Sequence, residues 1–252
     1  MKLKYLLVFL MLFGFVLMTS FAEQKIDIPQ GYIMIGEERF SRSLTELDLS
    51  GRNLSDEDIV PLRHMTDLTW LDLHNNQLRD IAPLAALTDL TVLRIDSNQI
   101  SDITPLAGLR NLTVLELHSN QIRDITPLTG LTNLIFLDLV FNQISDIAPL
   151  AGLTNLIFLD LGFNQISDIT PLAGITSLTE LRIDSNQISN ILPLAGLRNL
   201  TVLRIDANQI SDIVPLAGLP NFTGDDSILV LDGNPISDWS PVEDFVNVRG
   251  RP

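Results

Sequence analysis

The chain has no cysteine, two tryptophans and two tyrosines in 252 residues, and only 16 lysines and arginines against 31 aspartates and glutamates. Without cysteine there is no disulfide framework, so a fold reached in an oxidising compartment must be held by packing alone. A diacyl lipid anchor also has no attachment point, because no cysteine follows the apolar N-terminal run. The shortage of base leaves a formal charge of −15. That disfavours nucleic acid and anionic membrane surfaces as partners, and favours a basic partner or diffusely held divalent cations. No second hydrophobic run is long enough to span a bilayer.

The first such run has the form of an export leader. Lys2 and Lys4 precede an apolar stretch from Leu6 to Met18, and Ser20 and Ala22 place small residues three and one positions before a cleavage point after Ala22. Residues 1–22 are therefore expected to be a signal peptide, and the mature chain to be secreted or held in the cell envelope. The alternative is an uncleaved N-terminal anchor, since the 18 residues from Tyr5 to Ala22 would just cross a membrane.

What the chain has in abundance is repetition. The segments LTVLRIDSNQISDITPLAGL from Leu90, LTVLELHSNQIRDITPLTGL from Leu112 and LIFLDLVFNQISDIAPLAGL from Leu134 follow one another with a period of 22. An asparagine recurs in register at Asn76, Asn98, Asn120, Asn142, Asn164, Asn186 and Asn208, then at Asn234 after an insertion of four. Each unit opens LxxLxLxxNxI, and leucines at alternate positions put one side of a short strand into a core. The aliphatic set of one unit, such as Leu68, Leu71, Leu73, Leu78, Ile81, Leu84 and Leu87, can be buried only by stacking on neighbouring units. The asparagine turns the chain out of the strand, and its amide is expected to satisfy backbone groups that the turn leaves unpaired. The following D-I-x-P-L, as in Asp80 to Leu84, predicts a short 3₁₀ turn with Asp as its cap and Pro in its first residues.

These features predict a single domain of nine stacked repeats, about 40 Å along its axis from the strand spacing. Both terminal units depart from the consensus in the manner of caps. Arg52 takes the asparagine position in the unit beginning at Leu44, and Trp239 fills an isoleucine column in the last, where D-W-S-P-V ends at Val242. Residues 23–43, with Tyr32, Ile33, Ile35 and Phe40, are expected to cover the first open edge. The repeats run over 44–219, and 220–252 form the last repeat and C-terminal cap.

The unit N-Q-I-S-D-I-x-P-L-A-G-L resembles the internalin-type bacterial leucine-rich repeats over about Leu44 to Val242. The resemblance implies an α/β solenoid, a right-handed leucine-rich-repeat superhelix with a parallel concave sheet and a convex side mostly of 3₁₀ turns and loops. It also implies recognition of a host or surface protein on the concave sheet. No LPxTG sorting motif, wall-binding module or sandwich domain follows the repeats, so free secretion or tethering by the N-terminal segment is expected in place of wall-anchored adhesion.

Strand residues between the buried leucines face the concavity in columns. One column runs Asp48, Asp72, Arg94, Glu116, Asp138, Asp160, Arg182, Arg204; its neighbour runs Ser50, His74, Asp96, His118, Val140, Gly162, Asp184, Asp206. In two middle repeats Ile135, Phe136, Val140 and Phe141 stand beside Ile157, Phe158 and Phe163, where other repeats carry Thr, Val and Ser. On strands roughly 4.8 Å apart these would form a contiguous apolar patch, the expected partner-binding site. With it go Asp138 and Asp160, and a rim of Arg94, Glu116, Arg182, Asp184, Arg204 and Asp206. The two repeats are near-copies, so duplication of one unit, with rings packed on each other, accounts for the same residues. The R-I-D units, Arg94 with Asp96, Arg182 with Asp184 and Arg204 with Asp206, give either a solvated ion-pair ladder or a rim that sets partner register.

Catalysis and metal binding are not expected. His74 and His118 flank Asp96, but they sit two strands apart, about 9.6 Å, too far to share a zinc held at about 2.1 Å. Ser119, His118 and Asp96 come nearest to a nucleophile, base and orienter, yet an open sheet supplies no closed pocket. Asn53, Asn111, Asn199 and Asn221 lie in N-x-S/T sequons. The functional expectation is a monomeric, cofactor-free module that binds a protein, or else a glycan, on its concave face. The rival is a structural or adhesion component of the envelope that self-associates through its ends.

Overall fold

The structure, a computed structural model, describes residues 31–251; the expected leader and the start of the flank lie outside the described residues. From Ile33 onward the chain is one compact unit. A two-stranded sheet, β1 (Tyr32–Ile35) with β2 (Glu38–Ser41), precedes a ten-stranded parallel sheet taken in chain order. Its strands are β3 (Glu46–Asp48), β4 (Trp70–Asp72), β5 (Val92–Arg94), β6 (Val114–Glu116), β7 (Phe136–Asp138), β8 (Phe158–Asp160), β9 (Glu180–Arg182), β10 (Val202–Arg204), β11 (Ile228–Val230) and β12 (Val248–Arg249). The leucine-rich-repeat solenoid expected from the period is therefore present. The tenth strand was not expected: the tail after the last repeat pairs Val248 and Arg249 with Leu229 and Val230.

Each strand of the repeats is three residues long because only its central residue has to face inward. Those residues, among them Leu71, Leu93, Leu115, Leu137 and Leu159, are in register with one another and fully buried. In one coil Leu134, Leu137, Leu139, Ile144, Leu150 and Leu153 are all at 0 % exposure. At roughly 2 kcal/mol for each buried aliphatic side chain, burial between coils is the dominant stabilisation, and no coil achieves it alone.

The asparagine column lies within this core. Asn142 accepts the Ile122 N–H at 3.0 Å and donates to the Leu117 and Leu139 carbonyls, both at 3.1 Å. The pattern recurs from Asn76 to Asn234. Every amide thus joins its own coil to the preceding one and pairs groups that burial would otherwise leave unsatisfied. A second, exposed series keeps the 22-residue step, with Ser177 in place of one member: Asn111, Asn133, Asn155, Asn199 and Asn221 donate to Thr88, Arg110, Thr132, Thr176 and Arg198 carbonyls, and Ser177 to that of Thr154. Three of these are the residues seen above as sequons.

The convex runs are 3₁₀ turns such as Ala82–Ala86 and Ala148–Gly152, and among the described residues there is no α-helix. Asp is not their N-cap. Isoleucine holds that position without a side-chain bond, and Asp stands one residue earlier, where Asp146 Oδ1 accepts the Ala148 N–H at 2.8 Å. The bond to the residue two ahead is an Asx turn that bends the chain into the proline.

At the N-terminal end Arg52 replaces the ladder asparagine because it serves the cap. It pairs with Glu38 at 2.5 Å and lies over the Phe40 ring at 5.6 Å, joining β2 to the first coil. At the other end Phe222, which takes the leucine column just ahead of the insertion, stacks on Phe245, and Trp239 is partly buried against the core.

Replacing Asn142 by Ala should cost about 3–5 kcal/mol, since one buried N–H and two carbonyls lose their partner, whereas Asn133→Ala at the surface should cost about 1 kcal/mol. Urea unfolding of the two variants beside wild type measures the difference.

Candidate functional site

The sheet face opposite the 3₁₀ turns carries every residue of the expected binding set, but it does not make one apolar patch. The four rings form two stacked pairs: Phe136 on Phe158, centroids 4.2 Å apart and 3° from parallel, and Phe141 on Phe163, 4.2 Å apart at 23°. Asp138 and Asp160 lie between them along the strands, because alternation returns the same face at every second residue. Val140 and Gly162 follow in the adjacent column.

Phe141 and Phe163 occupy the left-handed turn position after the strand, at φ 56° and 53°, where other repeats have Asn75, Ser97, Ser119, Ser185 and Ala207. Bulky residues are rare there, and these two are 52 % and 46 % exposed. Ile135 and Ile157 are also exposed, at 43 % and 45 %. In their place Thr91, Thr113 and Thr201 hydrogen-bond the preceding coil's carbonyl through their hydroxyls. The middle repeats therefore forgo a hydrogen bond at each isoleucine and expose apolar surface.

The charges pair both across and along the strands. Arg94 lies 3.0 Å from Glu116 and 4.0 Å from Asp72, on the two adjacent strands. Arg182 lies 3.7 Å from Asp160 on the adjacent strand and 2.5 Å from Glu180, two residues back on its own. Of the three R-I-D units, Arg204 and Asp206 pair with each other, at 3.9 Å.

Desolvation by the surrounding sheet governs the carboxylates. Burial raises Glu116, Asp138 and Asp184 above the usual range and pushes Asp160 up to about 6, with neighbouring Asp138 adding to the last and the Gly162 amide and Arg182 opposing it. Asp96 behaves differently. Burial alone would raise it, but His118, whose Nε2 lies 3.1 Å from its Oδ2, brings it below the usual range, while His118 is raised chiefly by that same bond.

His118 Nδ1 is also 3.3 Å from Ser119 Oγ, so the trio considered as a nucleophile, base and orienter does meet. The Ser119 amide donates to the Val140 carbonyl and is not free to stabilise an oxyanion. Asp96, Glu116 and His118 bring potential ligand atoms within 4.8 Å of one another. His74 takes no part, being turned to Asp72 at 2.8 Å. Among the described residues no helix is long and apolar enough to cross a membrane.

Family models for leucine-rich repeats match residues 40–62, 66–174 and 176–221. The chain is thus a leucine-rich-repeat protein. Its similarity to solved structures narrows the class. An internalin (InlF) of Listeria monocytogenes is 33 % identical, with a TM-score of 0.68 over 85 % of this chain and 71 % of that one. Internalin C2 of the same organism is 35 % identical, with a TM-score of 0.65 over 84 % and 83 %. The ectodomain of the Arabidopsis thaliana receptor kinase GASSHO1/SCHENGEN3, solved in complex with Casparian strip integrity factor 2, shares the fold at 22 % identity, with a TM-score of 0.68 over 83 % of this chain and 27 % of that one. A search of curated proteins gives no match. The chain belongs to the internalin-type leucine-rich-repeat proteins, a fold that typically serves as a non-enzymatic interaction scaffold and is consistent with a protein-binding module.

Because the folded Asp160 holds its proton up to about pH 6, against about 4 when unfolded, its own contribution to stability should fall as pH rises from about 4 to 6, with the full penalty present above that window. Asp160→Asn should therefore gain on the order of 2 kcal/mol at pH 8 and nothing below pH 4. Thermal melts of both proteins at the two pH values test it.

Proposed function

We propose that this is a secreted bacterial protein, exported by residues 1–22, whose concave face recognises a protein partner. The observation that carries the reading is the pair of stacked phenylalanines, Phe141 and Phe163, held exposed in a left-handed turn that the other repeats give to Gly, Asn, Ser or Ala. Duplication explains why the two repeats are alike. It does not explain why they expose rings and isoleucines where their neighbours use hydroxyls, and uncompensated apolar exposure is the mark of a binding surface. The Phe136–Phe158 stack, Val140, Ile135 and Ile157 extend that surface. Arg94, Glu116, Arg182, Asp184, Arg204 and Asp206 form the charged border, which sets register and association rate more than affinity. A glycan ligand would also use stacked rings. The protein is favoured because the exposed set is aliphatic as well as aromatic.

Photocrosslinking tests this reading. Benzoylphenylalanine at position 141 should capture a protein from extracellular fluid saturably. The same group at Leu192, 65 % exposed on the convex side, should not. Phe141→Ala with Phe163→Ala should reduce capture of that protein at least tenfold while unfolding stays cooperative; equal capture by both would overturn the proposal. Sedimentation at micromolar concentration should show a monomer, which separates this reading from self-association through the ends of the sheet.

A further inference from the structure

We propose that the concave face receives a basic side chain, a lysine or arginine of a protein partner flanked by apolar residues, in a seat made by Asp138, Asp160 and Asp184 around Gly162. The inference rests on the protein-binding reading above and names the chemistry of what is bound.

The register places Glu116, Asp138 and Asp160 directly beside one another on β6, β7 and β8. Like charges on adjacent strands, roughly 4.8 Å apart, repel. The sheet's own cations stand only at the ends of this row. Arg94 lies against Glu116, and Arg182 is committed to Glu180, leaving 3.7 Å to Asp160. Among the described residues Asp138 and Asp184 have no ion-pair partner, and Asp138 accepts a single amide, from Val140 at 3.0 Å.

Gly162 is the second feature. Its column elsewhere carries Ser50, His74, Asp96, His118, Val140, Asp184 and Asp206, so here the side chain is missing and the neighbours close over the backbone. A Cβ at residue 162 would meet Asp184 Oδ1 at 3.1 Å, Asp160 Oδ1 at 3.3 Å and Val140 Cγ2 at 3.3 Å. Asp160 and Asp184 are each only 7 % exposed. Two nearly buried carboxylates thus converge on the Gly162 backbone, Asp160 with a share of Arg182 at 3.7 Å and Asp184 with no ion-pair partner among the described residues. Burial without compensation is costly, and an arriving ammonium or guanidinium would offset it.

The surroundings suit such a side chain. The two phenylalanine stacks flank the seat along the strands and can cover the aliphatic stem and its apolar neighbours. Arg182 already lies over the Phe158 ring at 5.4 Å, so that face accepts a guanidinium within the chain itself.

A random twelve-residue peptide library displayed on phage and panned on the full chain supplies the probe. Enriched peptides should contain Lys or Arg between aromatic or aliphatic residues. Replacing that residue by norleucine or citrulline in the synthetic peptide should weaken binding at least tenfold. Asp160→Asn with Asp184→Asn should weaken it as much, as should Gly162→Ala, while the Asn pair melts no lower than wild type because it keeps the acceptor for the Gly162 amide. Peptides that lose binding to Phe141→Ala with Phe163→Ala yet tolerate the Asn pair and norleucine would overturn the cation seat and leave the binding face standing. Peptides indifferent to all of these changes would overturn both readings. Binding abolished by EDTA and restored by calcium would replace the basic side chain with an ion and overturn the seat as well. Were the Asn pair not to fold, the norleucine comparison decides by itself.

Discussion

The asparagine amide buried at the end of each strand is the interaction on which the other features depend. The chain must leave the strand beside a core made of leucine and isoleucine, and its turning backbone exposes N–H and carbonyl groups where water is excluded. An unpaired group there would cost about 1–3 kcal/mol. Asn98, Asn120 and their counterparts pair them with one acceptor and two donors, and they do so across two coils at once. The same hydrogen bonds that allow a tight turn therefore set the position of the next coil. Register follows, with every strand aligned residue for residue on its neighbour.

Fixed register turns a repeat into a surface. Because coils cannot slide, residues 22 apart become lateral neighbours, and the face inherits whatever the sequence places in each column. Salt bridges run across strands, phenylalanines stack ring on ring, and Glu116, Asp138 and Asp160 stay side by side although they repel. The leucine layer beneath supplies stability that tolerates this repulsion, together with the left-handed turns at Phe141 and Phe163. Local costs gathered in two adjacent repeats, against a background that avoids them, are what the proposed binding face rests on.

Much of the architecture was legible in the 22-residue period: the inward leucines, the asparagine column, the short 3₁₀ turns and the capped ends. The finer misreadings have a common source. Asp146 and its equivalents stand one residue outside the cap, since the bond to Ala148 depends on a turn geometry that the letters D-I-x-P-L do not specify. Three members of the second asparagine series were noted only for their N-x-S/T pattern, although the 22-residue recurrence at Asn111, Asn133 and Asn155 was a signal of a structural role. Val248 and Arg249 carry no repeat signature, and only the open edge of β11 makes them a strand.

The candidate site divides in the same way. Alternation along the strand by itself determined that Phe136, Phe158 and the row of acids share one face, whereas Ile135, Ile157, Phe141 and Phe163 lie just outside the strands, where alternation does not reach. How those residues meet was decided by the tertiary structure. It split the rings into two stacks, sent Arg94 to Glu116 on the adjacent strand and divided Arg182 between Glu180 on its own strand and Asp160 on the next, and aimed Asp160 and Asp184 at Gly162. The physical reason is one of distance. Periodicity along a chain reports which way a side chain points, whereas pairing and desolvation depend on groups that are 22 residues away in sequence and roughly 4.8 Å away in space.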